Sequence, residues 1–421
     1  GYETFNADPE SFTDKRVLIL GLGNSAFETA ASLQDHAGYT HLLGRSRGGL
    51  RFAFKTHYVG DLRAVNDAVL DTFLLKSLDT VDVNFDIMEG NTTLVKDDQG
   101  QIWLQSEALQ HNLNYRDPYD RVIRCLGWRF DADMFDEEVR PSMKAGYHVG
   151  AGKFPAMTDA YMSVNVPNLY FGGTLMHSHD FKKSAGGFVH GFRYLVRSLS
   201  RMFDLNHHEK QWPLEMVALT PEGMSAAFHE RMRTSSGLYQ MFGVLADILI
   251  VPNEAPVAVH LQEVPLAFLH NSLSSGADFQ LVFSFHFDYG HDGPDGYADN
   301  SKATIEPGRA HKSQFLHPII RAYKPMDQSK ESEGGLTQVA EFHVLEDLLA
   351  SWDVSSVHRD LMQAFMTRVL QGDYTTQEQQ LQQFATRVKA TFTAEEREQE
   401  TVKKDPFYGT LVFEPDLPSK R

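Results

Sequence analysis

The sequence predicts an α/β protein, with a Rossmann-like nucleotide-binding unit near its N-terminus and an α+β region towards its C-terminus. Three observations carry this. An unbroken apolar run at residues 17–20 leads into Gly21-Leu22-Gly23-Asn24-Ser25-Ala26. Residues 25–33 then place Ala26, Ala30 and Leu33 at helical spacing, and a short apolar strand follows at 40–44. Strand, glycine turn, helix and strand in about thirty residues is the βαβ signature. Beyond residue 205 the pattern changes to a helix over 238–250 and an alternating strand over 279–287.

Taken in order, residues 1–14 are polar, with Asp8-Pro9 as a turn signal. The run at 17–20 suits a parallel strand covered on both faces. Residues 54–80 read as helix and loop, and 81–119 as polar with scattered strands. Asn91-Thr92-Thr93 is a glycosylation sequon that matters only in a secretory setting. Residues 119–128, "YDRVIRCLGW", read as a strand closing on Gly127. Another strand is expected at 168–171, then a loop at Gly172-Gly173-Thr174, then a helix from Ser184. Its apolar stripe is Phe188, Phe192, Leu195, Val196, Leu199 and Phe203. Residues 206–213, "NHHEKQWP", read as a linker, 288–302 as a turn-rich loop, 340–400 as charged helix, and the end as a loose tail.

A chain of 421 residues holds two or three domains, and 42% hydrophobic residues can fill their cores. A net charge of -17 opposes nucleic acid or anionic membrane as a general partner, since both need a positive field. The single cysteine, Cys125, excludes an internal disulfide and any Cys-x-x-Cys. The longest apolar run, near 242–252, is short and contains Asp247, so no transmembrane segment is expected. Residues 1–10 contain neither a signal peptide nor an initiator Met, so the chain is expected to have been cut upstream.

In Gly21-x-Gly23-x-x-Ala26 the first glycine permits the tight turn, the second lets a pyrophosphate reach the backbone, and Ala26 lets helix and strand close up. Amides at the helix start then receive phosphate. The plain alternative is an ordinary glycine-rich strand-to-helix turn. At the end of the second strand, where an acid would hold the ribose of NAD, stand Arg45, Ser46 and Arg47. Two guanidiniums and a hydroxyl fit the 2′-phosphate of NADPH; the alternative is a solvated basic loop.

Other residues are weighed and left aside. Cys125, among apolar neighbours, reads as a packed thiol. His177-Ser178-His179-Asp180 lacks an evident third metal ligand. The acidic loop at 288–299 misses calcium-loop spacing. His57, Tyr58 and Asp61 either line a nicotinamide pocket or pack. No metal site is expected, and no catalytic residue is assigned.

Asp120, Val122, Ile123, Cys125 and Gly127 resemble the strand returning to the FAD domain in two-dinucleotide-fold flavoproteins, the group of flavin monooxygenases and thioredoxin-reductase-like enzymes. Gly21 to Ala26, with the Asn24-Ser25 pair, resembles their NADPH motif. The strings "GNSAFETA", "THYVGDLRAVND", "LKSLD", "VIRCLGW", "KKSAGGFVHGFRY" and "SGLYQMFGVLAD" resemble the ERFAD-like family, endoplasmic-reticulum flavoproteins associated with degradation. The resemblance is dense over residues 1–250 and thinner beyond.

It implies an NADPH-binding Rossmann-like domain inserted in a truncated FAD-binding α/β domain. The expected units are 1–118 for NADPH with its lead-in, 119–205 for the C-terminal half of the FAD domain, and 206–421 for a C-terminal α+β region. The FAD domain's own first fingerprint is expected before residue 1. The family's flavin-binding Gly-Asp corresponds here to Gly173-Thr174, a neutral partner. Ser184, Ala185, Gly186 and Gly187 would open a helix against the isoalloxazine. The implied activity passes hydride from NADPH to FAD and on to an unknown acceptor. The implied setting is the lumen of the endoplasmic reticulum, beside the degradation machinery for misfolded glycoproteins and luminal reductase co-chaperones. Two alternatives are a flavin-dependent monooxygenase of nitrogen or sulfur substrates and a non-catalytic adaptor with a relic dinucleotide fold.

Overall fold

The computed structural model describes residues 6–44, 61–75, 81–84, 92–105, 117–146, 151–181, 183–272, 279–291, 306–326, 335–347 and 351–374. Arg45, Ser46, Arg47, His57, Tyr58, Asn91 and the expected tail lie outside the described residues. Within them the protein is mixed α/β, with one parallel and two antiparallel sheets.

The parallel sheet is built from β1 (Arg16–Leu20), β2 (Tyr39–Leu43), β3 (Val81–Asn84) and β6 (Arg121–Arg124), in the order β3-β2-β1-β6. α1 (Asn24–Leu33) crosses from β1 to β2, and α2 (Asp61–Leu75) precedes β3. Val17 and Ile19 join Phe27, Ala30, Leu33, Val69 and Leu70 on the helical side. Leu18 faces the other way, onto Leu43, Leu104 and Tyr119, beside the hairpin of β4 (Thr93–Lys96) and β5 (Ile102–Gln105). Both faces of β1 are therefore covered, which is why it reads as an unbroken apolar run. Each buried Val, Leu, Ile or Phe among them contributes roughly 1.5–3 kcal/mol by leaving water.

β6 pairs with β1 in parallel register, Leu18 beside Val122. This last strand of the sheet lies beyond residue 119, where the second unit was expected to begin. The strand expected at 168–171 is reduced to a bridge between Met162 and Tyr170, since Asn168 takes a left-handed backbone (φ 62°) that interrupts extension.

The helix expected from Ser184 begins at Val189 as α3 (Val189–His207), after a 3-10 turn at Ala185–Gly187 and an extended Phe188. Its buried face is Gly191, Tyr194, Leu195, Ser198, Leu199 and Met202, while Val196 is 41% exposed. The predicted stripe is rotated because the small Ser198 and Gly191 are the points of close approach. The Ser198 hydroxyl donates to Glu263 O at 2.9 Å. The expected linker is anchored, since the buried Trp212 donates its indole N–H to Gln262 O at 3.0 Å.

The C-terminal sheet comprises β7 (Leu214–Ala218), β8 (Leu245–Pro252), β9 (Val257–Pro265), β10 (Phe279–Asp288), β11 (His317–Pro325) and β12 (Leu336–His343), in the order β12-β11-β10-β8-β9-β7. α4 (Pro221–Thr234), the short α5 (Ser236–Gln240), α6 (Leu266–Ser272) and α7 (Arg359–Leu370) complete the region. Phe228 of α4 stacks on Phe285 with ring centres 5.1 Å apart, and Phe365 of α7 on Phe342 at 5.2 Å.

Three expectations are corrected here. The helix over 238–250 is α5 followed by β8, held between β9 and β10. β10 alternates in chemistry, with Phe283, Phe285 and Phe287 on one face and Ser284 and His286 on the other, but not in burial, because Val282 to Phe287 are buried on both sides. Residues 340–343 are strand, and the first helix after residue 340 among the described residues is α7.

Candidate dinucleotide site

The glycine turn stands at the C-terminal end of β1. Gly21 donates its N–H to Leu43 O at 2.7 Å with φ 126°, and Cys125 N donates to Leu20 O at 2.8 Å. A Cβ on Gly21 would overlap the carbonyl oxygen of Cys125. Gly23 is the N-cap of α1 in extended backbone, and no side chain caps the helix. Among the described residues, nothing lies within 4 Å of where a Cβ on Gly23 would sit. The first turn of α1 holds no acidic residue. An open helix start with its positive dipole end accepts an anion such as pyrophosphate.

Asn24 and Ser25 line this mouth half-exposed, and Ala26 is buried beneath it. Asn24 is held from α2, where Asn66 donates to its Oδ1 at 3.3 Å; no spacing in the sequence singled out Asn66. The structure thus brings Gly21, Gly23, Asn24, Ser25 and Ala26 together. Gly44, the last described residue before Arg45, follows β2 directly, and Leu43 pairs with Leu20.

Cys125 is buried, its Sγ 4.0 Å from the Thr29 hydroxyl. Gly127 follows with φ 78°, flanked by Leu126 and Trp128, which are 68% and 72% exposed.

The second set gathers at the N-terminal end of α3. Gly173 opens a 3-10 turn, and no atom of the described residues lies within 4 Å of its Cβ position. The exposed Thr174 donates its hydroxyl to Gly187 O at 3.3 Å, tying the two turns together. Ser184 points inward, donating to Asp180 Oδ2 and accepting from Gly186 N at 3.3 Å. The other Asp180 oxygen lies 3.2 Å from His177 Nδ1. A Cβ on Gly186 would come within 2.9 Å of both Asp180 Oδ1 and His177 Nδ1, and one on Gly187 within 3.2 Å of the His177 ring. The glycine pair is therefore sized by His177 and Asp180. Ser184 is a buried partner of Asp180. Gly173, Thr174, Ala185, Gly186 and Gly187 remain together.

His177 and His179 do not converge. His179 Nε2 lies 3.2 Å from Thr158 O, and its ring meets Tyr161 edge-on, where burial lowers its pKa. A ligating group that the sequence reading missed does form elsewhere. His291, Glu341 and His343, far apart in sequence, place their ligand atoms within 4.8 Å of one another.

The chain is similar to FAD-dependent oxidoreductase domain-containing protein 2 of Mus musculus, with 36% identity over 407 residues, covering 89% of this chain and 59% of the relative. The protein of the same name from Danio rerio is 34% identical over 436 residues, covering 89% of this chain and 60% of the relative. The chain spans about three fifths of the length of these relatives. No protein-family profile matches it. Among solved structures, it is similar to the bacillithiol disulfide reductase Bdr (YpdA) of Staphylococcus aureus, at 15% identity, TM-score 0.26, covering 40% of this chain and 45% of that one. It is also similar to the HOCl-induced flavoprotein disulfide reductase RclA of Escherichia coli, at 12% identity, TM-score 0.29, covering 59% and 55%.

Proposed function

We propose, from the likeness to two proteins named as FAD-dependent oxidoreductases, that the chain is the nucleotide-binding part of an NADPH-dependent flavoprotein oxidoreductase. The observation that carries this is the uncapped helix start at Gly23, at the end of a parallel strand, with open space above it among the described residues.

The residues present fit the cofactors unequally. Gly21, Gly23, Asn24, Ser25 and Ala26 fit a pyrophosphate, and Arg45, Ser46 and Arg47 supply the charge that a 2′-phosphate needs. Gly127, Gly173, Thr174, Ala185, Gly186 and Gly187 are the residues that would hold FAD. Of these, Gly173 and Thr174 lie open beside the start of α3. When bound, FAD accepts a hydride from NADPH and passes the electrons to an acceptor. The protein's part is positional: α1 amides fix the pyrophosphate, the Asn66–Asn24 contact holds the mouth, and Ala26 seats the helix close on β1. We place this activity in the lumen of the endoplasmic reticulum, beside the machinery that disposes of misfolded glycoproteins and its reductase co-chaperones; the family resemblance supports that setting.

A second reading, an adaptor with a relic dinucleotide fold, rests on one observation: His177 and Asp180 already fill the space beside Gly186. The absorbance spectrum of the complete protein separates the two. A yellow protein that bleaches with NADPH, and much more slowly with NADH, supports the enzyme. An Arg45→Glu, Arg47→Glu protein should lose the NADPH preference. A colourless protein, or one whose flavin NADPH never reduces, sinks the enzyme and favours the adaptor.

A further inference from the structure

At the β12 edge of the antiparallel sheet, one face is apolar and the other is rich in imidazole. Ser284, Arg321 and Glu341 lie side by side across β10, β11 and β12, as do His286, Ile319 and His343. Lateral neighbours, and residues two apart along a strand, share a face. The opposite face holds Phe283, Phe285, Ile320 and Phe342, packed under α4 and α7. On the polar face His291 arrives from just past β10. Its Nε2 is 2.7 Å from Glu341 Oε1, and His343 Nε2 is 2.9 Å from the same oxygen. Arg321 Nε donates to the other carboxylate oxygen at 2.6 Å, which fixes the carboxylate and leaves Oε1 to the two imidazoles.

The hydrogen positions on the rings follow from a chain of contacts. Phe315 O can only accept, so the His317 Nδ1 that lies 2.8 Å from it bears a hydrogen. In neutral His317 the Nε2 then carries a lone pair. It lies 2.8 Å from His343 Nδ1, which must donate to it. In neutral His343 the remaining nitrogen, Nε2, therefore also carries a lone pair, and it faces a carboxylate oxygen. Two acceptors at that distance require a positive centre between them.

We propose that His291 Nε2, Glu341 Oε1 and His343 Nε2 bind a divalent first-row transition ion of the Zn²⁺ type. Imidazole nitrogen and carboxylate oxygen are that ion's ligands. Metal–ligand bonds of ~2.0–2.2 Å in tetrahedral array put ligand atoms ~3.4 Å apart, so each imidazole nitrogen, now 2.7 or 2.9 Å from Glu341 Oε1, need draw back by only about 0.5–0.7 Å. The His343–His317–Phe315 relay is the outer arrangement that orients a ligating imidazole and fixes its tautomer. Three protein ligands leave a fourth position for water, with the His311 ring 5.6 Å from that of His291. The ion would clip the segment after β10 to β12, joining ligands 50 residues apart in sequence.

The test uses the 421-residue chain, stripped with chelator and titrated with Co²⁺ alone. A single equivalent should produce the intense visible bands of a low-coordinate site, and Zn²⁺ should abolish them and raise the thermal midpoint. His291→Ala, at a side chain 60% exposed, should keep the fold by circular dichroism and lose about tenfold or more in affinity. His317→Phe should lose ~10–100-fold while leaving all three ligands in place. Absence of the bands, or a folded His291→Ala, His343→Ala protein that binds Co²⁺ as tightly as the parent, overturns the proposal. So does a His343 found by NMR to be imidazolium in a chain that takes up no Co²⁺, since a proton would then fill the gap.

Discussion

A methyl group added at Gly21 and one added at Gly23 meet opposite surroundings. At Gly21 it runs into the Cys125 carbonyl, and the backbone is left-handed besides. Gly21→Ala should cost about 2–4 kcal/mol, read as a lower denaturation midpoint, because neither strand can yield. At Gly23 there is room, and the extended backbone accepts any residue. Gly23→Asp should cap α1 and leave stability unchanged or up by a few tenths of a kcal/mol. It should also weaken NADPH binding by about tenfold or more, since it sets a carboxylate where the pyrophosphate belongs. Unchanged NADPH affinity in that variant would remove α1 from the site.

Titration belongs to the residue scale too. Burial, with Arg16 adding repulsion, lowers the pKa of His41 to about 3, its Nδ1 lying 2.5 Å from the Tyr119 hydroxyl. Burial lowers His286 to about 3 and His317 to about 4. Between those values and 6.5 the unfolded chain binds more protons than the folded one, so stability falls as the pH drops from 6.5 towards 3. Each such histidine contributes up to ~1.4 kcal/mol per pH unit in that window. Urea midpoints at pH 7 and pH 5 check the slope, and His41→Gln should flatten it.

At the scale of elements, β8 shows what periodicity leaves open. Its apolar run fits a buried strand or a buried helix equally, and pairing with β9 and β10 decides for the strand. Asp247 marks the place. At 0% exposure its carboxylate accepts from Arg231 Nε at 2.5 Å and from Glu263 N at 2.9 Å, with His260 Nε2 3.1 Å away. Asp247→Ala would leave the half-buried Arg231 guanidinium to its longer ion pair with Glu263, at 3.5 Å, and should cost about 3–5 kcal/mol. The double change Asp247→Leu, Arg231→Met should cost clearly less, because it removes both charges together. Equal losses by chemical denaturation would show that packing, not pairing, is what matters there.

For the whole molecule, the buried side chains of the parallel sheet and those of the antiparallel sheet form separate cores among the described residues. Cores built on different sheets are separate cooperative units, whereas the two faces of one sheet share its strands. Calorimetry should therefore resolve two transitions. NADPH should raise only the one belonging to the parallel sheet, by ~2.7 kcal/mol at a hundredfold excess over its dissociation constant. A single transition that shifts as a unit would mean the two sheets fold as one body.

How much was legible in the sequence depended on how far apart the partners lie. The strand, glycine turn and helix around Gly21 and Gly23 were readable because each is set by neighbours within a few residues. The same holds for the covered β1 and the buried Cys125. Tertiary structure alone placed β6 beside β1, turned 245–252 into a central strand, and rotated the buried face of α3 onto Ser198. It alone pointed Ser184 at Asp180 and gathered His291, Glu341 and His343 on one sheet face. The physical reason is that periodicity along a chain says which side of an element is buried, while strand pairing and ligand sets are made between residues tens of positions apart.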